Sequence, residues 1–197
     1  MADLDHHNQM AVPIPKVITF LSSLLQRVSE SNDQSHELHS AAKVSAFHGL
    51  TKPTISIQTY LERIFKYANC SPSCFVVAYV YLDRLAQRHP SLPIDSFNVH
   101  RLLITSVLVS AKFLDDLCYN NAYYAKVGGI STVEMNLLEI DFLFGLGFQL
   151  NVTLNTFHTY CSYLRAEVLS TQSNLPIPIK FYSFPEDEAS HKKRLIA

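Results

Sequence analysis

Residues 102–116 read LLITSVLVSAKFLDD, a nearly unbroken apolar run that ends in a lysine and two aspartates. A helix that is apolar on all sides is normally buried by other elements. Lys112 suits the partially negative C-terminal end of such a helix, whereas Asp115 and Asp116 each cost about 0.3–1 kcal/mol there. We therefore expect this helix to lie at the centre of the fold, and we expect its charged end to have a role beyond helix stability.

Four further segments with helical periodicity surround this helix in the sequence. Ser71 and Pro72 form an N-cap and first-turn pair, Ser131 and Glu134 have capping-box spacing, and Thr153 can cap the last segment. The predicted helices cover residues 54–69, 71–89, 95–112, 131–147 and 153–169. Because no period-two segment competes with them, we predict an all-α fold of five helices around a central apolar helix.

The residues before this domain contain one more helical pattern. Residues 16–30, KVITFLSSLLQRVSE, place apolar side chains at helical spacing and predict a flanking amphipathic helix. The polar stretch that follows is predicted to be a linker or a weak helix, which Gly49 and Pro53 end. The predicted division is a disordered N-terminus (1–15), an N-terminal helix and linker (16–53), the helical domain (54–170) and a flexible C-terminal tail (171–197).

The overall charge and the apolar runs exclude several classes of partner. The 197 residues carry 16 basic and 17 acidic side chains, for a formal net charge of −1. This balance gives no electrostatic reason to expect binding to nucleic acid or to an anionic membrane. Apolar runs of about a dozen residues are too short to span a bilayer, and no secretory signal is visible. We predict a protein of the nucleus and cytoplasm, with the basic cluster Lys192–Arg194 as weak support for a nuclear address.

Residue types that carry chemistry give little support for catalysis or metal binding. The chain has no glycine-rich phosphate loop, no zincin motif and no nucleophile elbow. Cys70 and Cys74 are close in sequence, but a zinc site normally needs a second pair of ligands. Without a secretory signal, the four cysteines are expected to be reduced thiols. We therefore predict no enzymatic activity, no metal and no cofactor.

Charged residues interrupt the apolar helices at several points. They are Asp83 and Arg84 in one helix, Lys112 in the next, and Glu139 and Asp141 in the one after that. Each of them alone is explained by an internal ion pair or by a side chain whose head reaches water. Because they lie on different helices of one apolar bundle, together they indicate a shared polar site.

Three of these segments resemble the cyclin box in order and spacing. They are AYVYLDRL (78–85), LLITSVLVSAKFLDD (102–116) and LLEIDFLFGLGF (137–148), and the resemblance extends from Thr54 to Leu169. The single box, the small size and the segment KFLDDLCYNNAYYAKVGGIS resemble the P-type (also called U-type) plant cyclins, which are similar to the yeast phosphate-signalling cyclins. The resemblance implies a single five-helix cyclin box.

The same resemblance implies a regulatory subunit that binds and allosterically activates a cyclin-dependent kinase, in cell-cycle or nutrient-linked control. In cyclins a lysine of the third box helix and a glutamate of the fourth meet the kinase, and the matching residues here are Lys112 and Glu139. The implied apolar part of this kinase-binding site consists of Val109, Phe113, Phe148 and Leu150. The implied signature residues of the box are Asp83, Arg84, Asp115 and Asp116. In plants the implied partner class is the A-type kinases.

The chain departs from the mitotic cyclins at the start of the first box helix, where those proteins carry a Met-Arg-Ala-Ile-Leu docking patch. The aligned residues 53–57 are Pro-Thr-Ile-Ser-Ile, so Asp83 lacks its usual arginine and needs another partner or partial exposure. Two other functions remain open. A cyclin-fold adaptor in transcription is disfavoured by the neutral charge balance, and a helical enzyme by the lack of an acid, base and nucleophile together.

Overall fold

The computed structural model describes residues 15–38 and 45–171, with side chains for 15–35 and 45–166, and every regular element in these residues is an α-helix. The elements are α1 (Lys16–Leu38), α2 (Ile57–Tyr67), α3 (Pro72–Arg88), α4 (Val99–Leu114), α5 (Asn121–Gly128), α6 (Thr132–Gly145) and α7 (Leu154–Thr171). The predicted all-α fold class is therefore confirmed. The predicted terminal tails and the basic cluster Lys192–Arg194 lie outside the described residues.

Two helix starts use the caps that the sequence predicted. Ser131 Oγ accepts a hydrogen bond from the Glu134 amide at 3.1 Å, before α6, and Thr153 Oγ1 accepts one from the Thr156 amide at 3.1 Å, before α7. These bonds satisfy amides that the first turn leaves without a partner. Glu134 does not close a capping box, because its Oε1 lies 2.6 Å from Nε of Arg101 on α4. The start of α6 is thereby tied to α4.

The centre of the fold is formed by α3 and α4 together. Each of these helices contributes eleven buried residues. The predicted central helix is α4, which packs against α2, α3, α5 and α6, while α3 packs against α1, α4, α6 and α7. Both helices are thus surrounded by others, and α1 and α7 join the core through α3.

The N-terminal helix α1 continues past residue 30 to Leu38, so the start of the polar stretch is helical, which was one of its two predicted alternatives. Its polar second half bonds the loop that precedes α4. Asn32 Nδ2 donates to the carbonyl of Ile94 at 2.8 Å, and Asp33 Oδ1 accepts from the amide of Ser96 at 3.0 Å. The buried apolar residues of α1 belong to the same core as those of the other helices: Ile18, Leu21, Leu24, Leu25 and Val28.

A helix that was not predicted, α5, lies between α4 and α6. Asn120 Oδ1 caps it by accepting from the amide of Tyr123 at 3.0 Å, and Gly129 ends it in the left-handed conformation that favours glycine, with φ of 73°. Its main contribution to the core is the buried ring of Tyr124. The domain was predicted to have five helices, and the described residues contain six, α2 to α7. The sequence pattern missed α5 because a helix of eight residues shows little periodicity.

Candidate functional site

Lys112 and Glu139, which the sequence placed in one site, form an ion pair between α4 and α6. Lys112 Nζ lies 2.6 Å from Glu139 Oε1, and the two side chains are 37 % and 15 % exposed. Asn121 of α5 donates from Nδ2 to Glu139 Oε2 at 2.6 Å. An ammonium carries more N–H donors than one carboxylate oxygen uses. Lys112 can therefore also donate to the backbone of a second protein while it keeps Glu139.

Asp115, just past the end of α4, holds the start of α3. Its Oδ2 accepts a hydrogen bond from the Ser71 amide at 2.9 Å and one from the Cys74 thiol at 3.3 Å. Burial alone would raise the pKa of Asp115, but the hydrogen bonds from Ser71 and Cys74 hold this pKa below its usual range. Its neighbour Asp116 is exposed. The first aspartate of the KFLDD motif is thus a capping group for another helix.

Asp83 is buried in α3. The docking-patch arginine that would pair with it is missing from this sequence, and the hydroxyl of Tyr160 takes its place. Asp83 Oδ2 accepts from Gln87 Nε2 at 2.9 Å and from the hydroxyl of Tyr160 on α7. Its Oδ1 has no hydrogen-bond partner among the described residues. Burial raises the pKa of Asp83 to about 6, against the lowering effect of the hydrogen bonds from Tyr160 and Gln87. This carboxyl group therefore joins α3 to α7 inside the core.

The side of α6 opposite the core is apolar and exposed. The large exposed apolar residues of this helix are Val133 (70 %), Leu137 (58 %), Ile140 (50 %) and Phe144 (69 %). Their 4-3-4 spacing places them in one row along the helix. We call this row the α6 outer face. Contiguous exposed apolar surface of this kind typically marks a site of protein interaction.

Sequence periodicity did not reveal the α6 outer face. The signal was present, because residues 132–145 carry apolar side chains on two opposite sides of the helix and polar ones between them. Periodicity alone does not distinguish a helix buried by its own chain from one that another protein covers. Glu139 connects the ion pair to the helix of the α6 outer face, because it lies on α6 and binds Lys112.

The apolar residues predicted around the ion pair fall into three groups. Phe113 and Phe148 are exposed, and the ring of Phe148 lies 5.2 Å from that of Phe144 in an edge-on arrangement, which extends the α6 outer face. Leu150 is partly buried, and its carbonyl accepts a hydrogen bond from Tyr81 at 2.7 Å. Val109 is 2 % exposed and packs in the core. We therefore exclude Val109 from the surface site, because α4 turns this side chain inwards.

Arg84, the other signature residue of α3, acts on the segment that follows α6. Its Nη1 donates to the carbonyl of Gln149 at 2.8 Å. Arg88, one helical turn later, donates to the carbonyl of Leu146 at 2.7 Å. These bonds fasten the turn that carries Phe148 to the central helix α3.

Two further features concern metal ligands and membrane-spanning segments in the part of the chain that the structure describes. No group of three or more histidine, cysteine, aspartate or glutamate side chains in that part could hold a metal ion. Cys70 and Cys74 are free thiols. None of the described helices combines the length and the apolar character that crossing a membrane requires.

Comparison with known proteins matches the chain to one family over most of its length. The sequence model of the family described as Cyclin matches residues 9–150. Cyclin-U4-1 of Arabidopsis thaliana is 64 % identical, over 98 % of this chain and 96 % of that protein. Cyclin-P4-1 of Oryza sativa subsp. japonica is 62 % identical, over 81 % of this chain and 77 % of that protein. The family match begins ahead of α1 and ends before α7, and the domain bounds of 54–170 remain a prediction.

Proposed function

Because the chain belongs to the cyclin family, whose members are regulatory proteins, we propose that it binds a cyclin-dependent kinase and activates it. The observation that carries this proposal is the position of the Lys112–Glu139 ion pair. Lys112 is 37 % exposed, and Glu139 lies on the helix that carries the row of exposed apolar side chains. Charged and apolar groups on adjacent helices can together orient and bind a protein partner.

The proposed interface is built from the end of α4, the α6 outer face and the turn after α6. Lys112 and Glu139 supply the polar contacts to the kinase backbone. The apolar contacts come from Phe113, Leu137, Ile140, Phe144, Phe148 and the edge of Leu150. Exposed side chains of this size lose most of their contact with water when a partner covers them, which favours binding by about 25 cal/mol per Å² of apolar surface.

The proposed mechanism is a shift in the conformational population of the kinase. A kinase is active when its αC glutamate pairs with the ATP-site lysine and its activation segment is open. A partner that binds only this arrangement increases its population. Moving such an equilibrium from 1:99 to 99:1 requires about 5.5 kcal/mol of differential affinity. An interface of standard size, roughly 1,600 Å², can supply this amount.

The relatives support a plant setting for this activity. The similar proteins named above come from Arabidopsis thaliana and Oryza sativa. We propose an A-type cyclin-dependent kinase as the partner, with cell-cycle or nutrient-linked control as the process. We further propose that the complex acts in the nucleus and the cytoplasm, where such a kinase would meet its substrates.

Co-purification with a panel of plant cyclin-dependent kinases, followed by a phosphorylation assay, tests the proposal. We expect at least one kinase to bind the unaltered chain and to gain activity on a protein substrate, compared with the kinase alone. Ile140→Glu places a charge in the middle of the α6 outer face and should abolish both effects. The matched control Gln58→Glu places the same charge on the exposed side of α2 and should leave both unchanged.

Two results would contradict the proposal. The first is that no kinase of the panel binds the unaltered, folded chain. The second is that Ile140→Glu and Gln58→Glu bind and activate equally well, which would place the kinase elsewhere on the surface.

A further inference from the structure

The turn that follows α6 has an unusual backbone conformation. Gly147 and Phe148 have φ angles of 57° and 58°, both in the left-handed region. Glycine adopts this region readily, but a bulky residue there is a genuine outlier and stores strain. In spite of this strain, the side chain of Phe148 is 58 % exposed. The core therefore gains little from phenylalanine at this position.

Side chains of α3 hold this turn from the inside. Arg88 donates from Nη1 to the carbonyl of Leu146 at 2.7 Å and from Nη2 to Oε1 of Gln149 at 2.6 Å. Arg84 donates from Nη1 to the carbonyl of Gln149 at 2.8 Å. The turn is thus bonded on both sides of Phe148.

Two further contacts fix the ends of the same turn. The Tyr81 hydroxyl donates to the carbonyl of Leu150 at 2.7 Å, and a ring nitrogen of His89 lies 3.1 Å from the carbonyl of Gly145. The fit is close, because a Cβ added to Gly147 would lie 2.5 Å from Nη1 of Arg88. Hydrogen bonds to carbonyls on either side of a strained residue can maintain a conformation that the residue disfavours.

We propose that Arg84, Arg88 and Tyr81 are positioning residues for partner binding, which keep the turn in the strained conformation that presents Phe148 to the kinase. This inference rests on the proposed function, since it assigns Phe148 to the kinase interface. The edge-on contact between Phe148 and Phe144, at 5.2 Å, joins the presented ring to the α6 outer face. A preorganised aromatic side chain loses less conformational freedom on binding than a mobile one.

Phe148→Gly removes the ring that is proposed to contact the kinase but leaves the backbone conformation of the turn available, because glycine adopts the left-handed region without strain. Effects on kinase binding and on folding can therefore be measured separately. We expect the thermal midpoint to stay the same or to rise. With a kinase that binds the unaltered chain, we expect the dissociation constant to increase about tenfold or more, as is typical when a central aromatic contact is removed. A midpoint lowered by more than about 4 °C, a change of at least 1 kcal/mol for a chain of this size, would show that the fold needs the ring and would overturn the inference.

Arg88→Ala tests the positioning role itself. We expect weaker kinase binding in the unaltered background and no further loss when Phe148→Gly is already present, because both changes remove the same presented ring. Arg88→Lys keeps one donor toward the turn and should restore part of the affinity. The matched control is Arg63→Ala, since Arg63 also donates to a backbone carbonyl, that of Lys126 at 3.1 Å. It should leave kinase binding unchanged.

Lys112→Ala, measured in parallel, distinguishes failure of the inference from failure of the proposed function. If Lys112→Ala weakens binding while Phe148→Gly and Arg88→Ala do not, the positioning role is wrong and the proposed interface stands. If Arg88→Ala and Phe148→Gly weaken binding additively, Arg88 does not act through Phe148 and the inference fails. If no kinase binds the unaltered chain, the proposed function fails and the inference fails with it.

Discussion

The helices α4 and α6 are both rich in apolar residues, but only α4 is buried on most of its sides. In α4, eleven residues are buried by the surrounding helices. In α6 the buried residues are Met135, Leu138 and Phe142, while the row opposite them is exposed. The two helices therefore have similar compositions and different environments. The chain thus buries α4 by itself, and the exposed row of α6 is the surface that the proposed kinase would cover.

The polar residues of the two regions differ in the same way. Asp83 and Asp115, in and near the centre of the fold, bind groups of the same chain, namely Tyr160 for Asp83 and Ser71 for Asp115. Lys112 also has an internal partner but remains open to solvent at the edge of α6. The two aspartates thus act within the fold, whereas the ammonium of Lys112 remains accessible to a partner.

The largest effect should come from truncating matched leucines in the two helices. Leu103 is fully buried in α4, so Leu103→Ala should lower the free energy of unfolding by about 2–5 kcal/mol. Leu137 is exposed on the α6 outer face, so Leu137→Ala should change this free energy by less than about 0.5 kcal/mol. Urea denaturation of both variants measures the difference. If both variants lose the same free energy of unfolding, α4 and the outer face of α6 do not differ in burial as described.

A second effect concerns the buried carboxyl group of Asp83. Burial raises the pKa of Asp83 from 3.8 in the unfolded chain to about 6 in the folded one. Between these values the folded state retains a proton that the unfolded state has lost, so stability falls as the pH rises through this window. The expected fall in the free energy of unfolding is about 2–3 kcal/mol between pH 4 and pH 7.

Asp83→Asn should remove most of this pH dependence and make the protein more stable at pH 7. The amide oxygen can still accept the hydrogen bonds from Tyr160 and Gln87, but no charge has to be buried. Denaturant unfolding at several pH values, with Asp116→Asn as an exposed control, measures the change. A pH dependence that persists in Asp83→Asn would refute the assignment to this group.

The smallest of the three effects concerns Asp115. Asp115→Ala removes the acceptor for the Ser71 amide and the Cys74 thiol, and should cost about 1–2 kcal/mol at pH 7. The folded-state pKa of Asp115 is lowered from 3.8, so its contribution is present above that pH and is lost as the pH falls through the folded-state value. Asp116→Ala is the matched control. If Asp116→Ala lowers the free energy of unfolding as much as Asp115→Ala does, the capping role of Asp115 is wrong.

Much of the fold follows from local sequence signals. The caps at Ser131 and Thr153 and the apolar run of α4 lie where helix physics places them. The sequence pattern missed α5, which is short, and did not decide between a linker and a weak helix for the polar second half of α1. That half is stabilised by Asn32 and Asp33 through contacts with the loop before α4. Contacts between residues more than 60 positions apart have no local signature.

The site was predictable in part for a similar reason. The family resemblance placed Lys112 and Glu139 in one kinase-binding site, and the structure brings the two side chains together as an ion pair. The partner of Asp83 was not predictable, because Tyr160 lies 77 positions away on α7. Val109 was placed in the site by its sequence position next to the lysine, yet the helix turns it into the core. When a helix is apolar on most sides, its sequence does not show which side chains face the core, and only the packing of the neighbouring helices decides this.

The most direct test of the central claim is to measure kinase affinity and thermal stability on the same samples of Lys112→Ala and Glu139→Ala. Without Glu139 the ammonium of Lys112 can still reach water, and without Lys112 the carboxylate of Glu139 keeps its hydrogen bond from Asn121. We therefore expect each substitution to cost only about 1 kcal/mol of folding free energy and to change the melting little. We expect kinase binding to weaken by about 2–5 kcal/mol, as when one partner of a desolvated charged contact is removed. Lowered melting with intact binding would contradict the account, because it would make Lys112 and Glu139 an internal brace between α4 and α6.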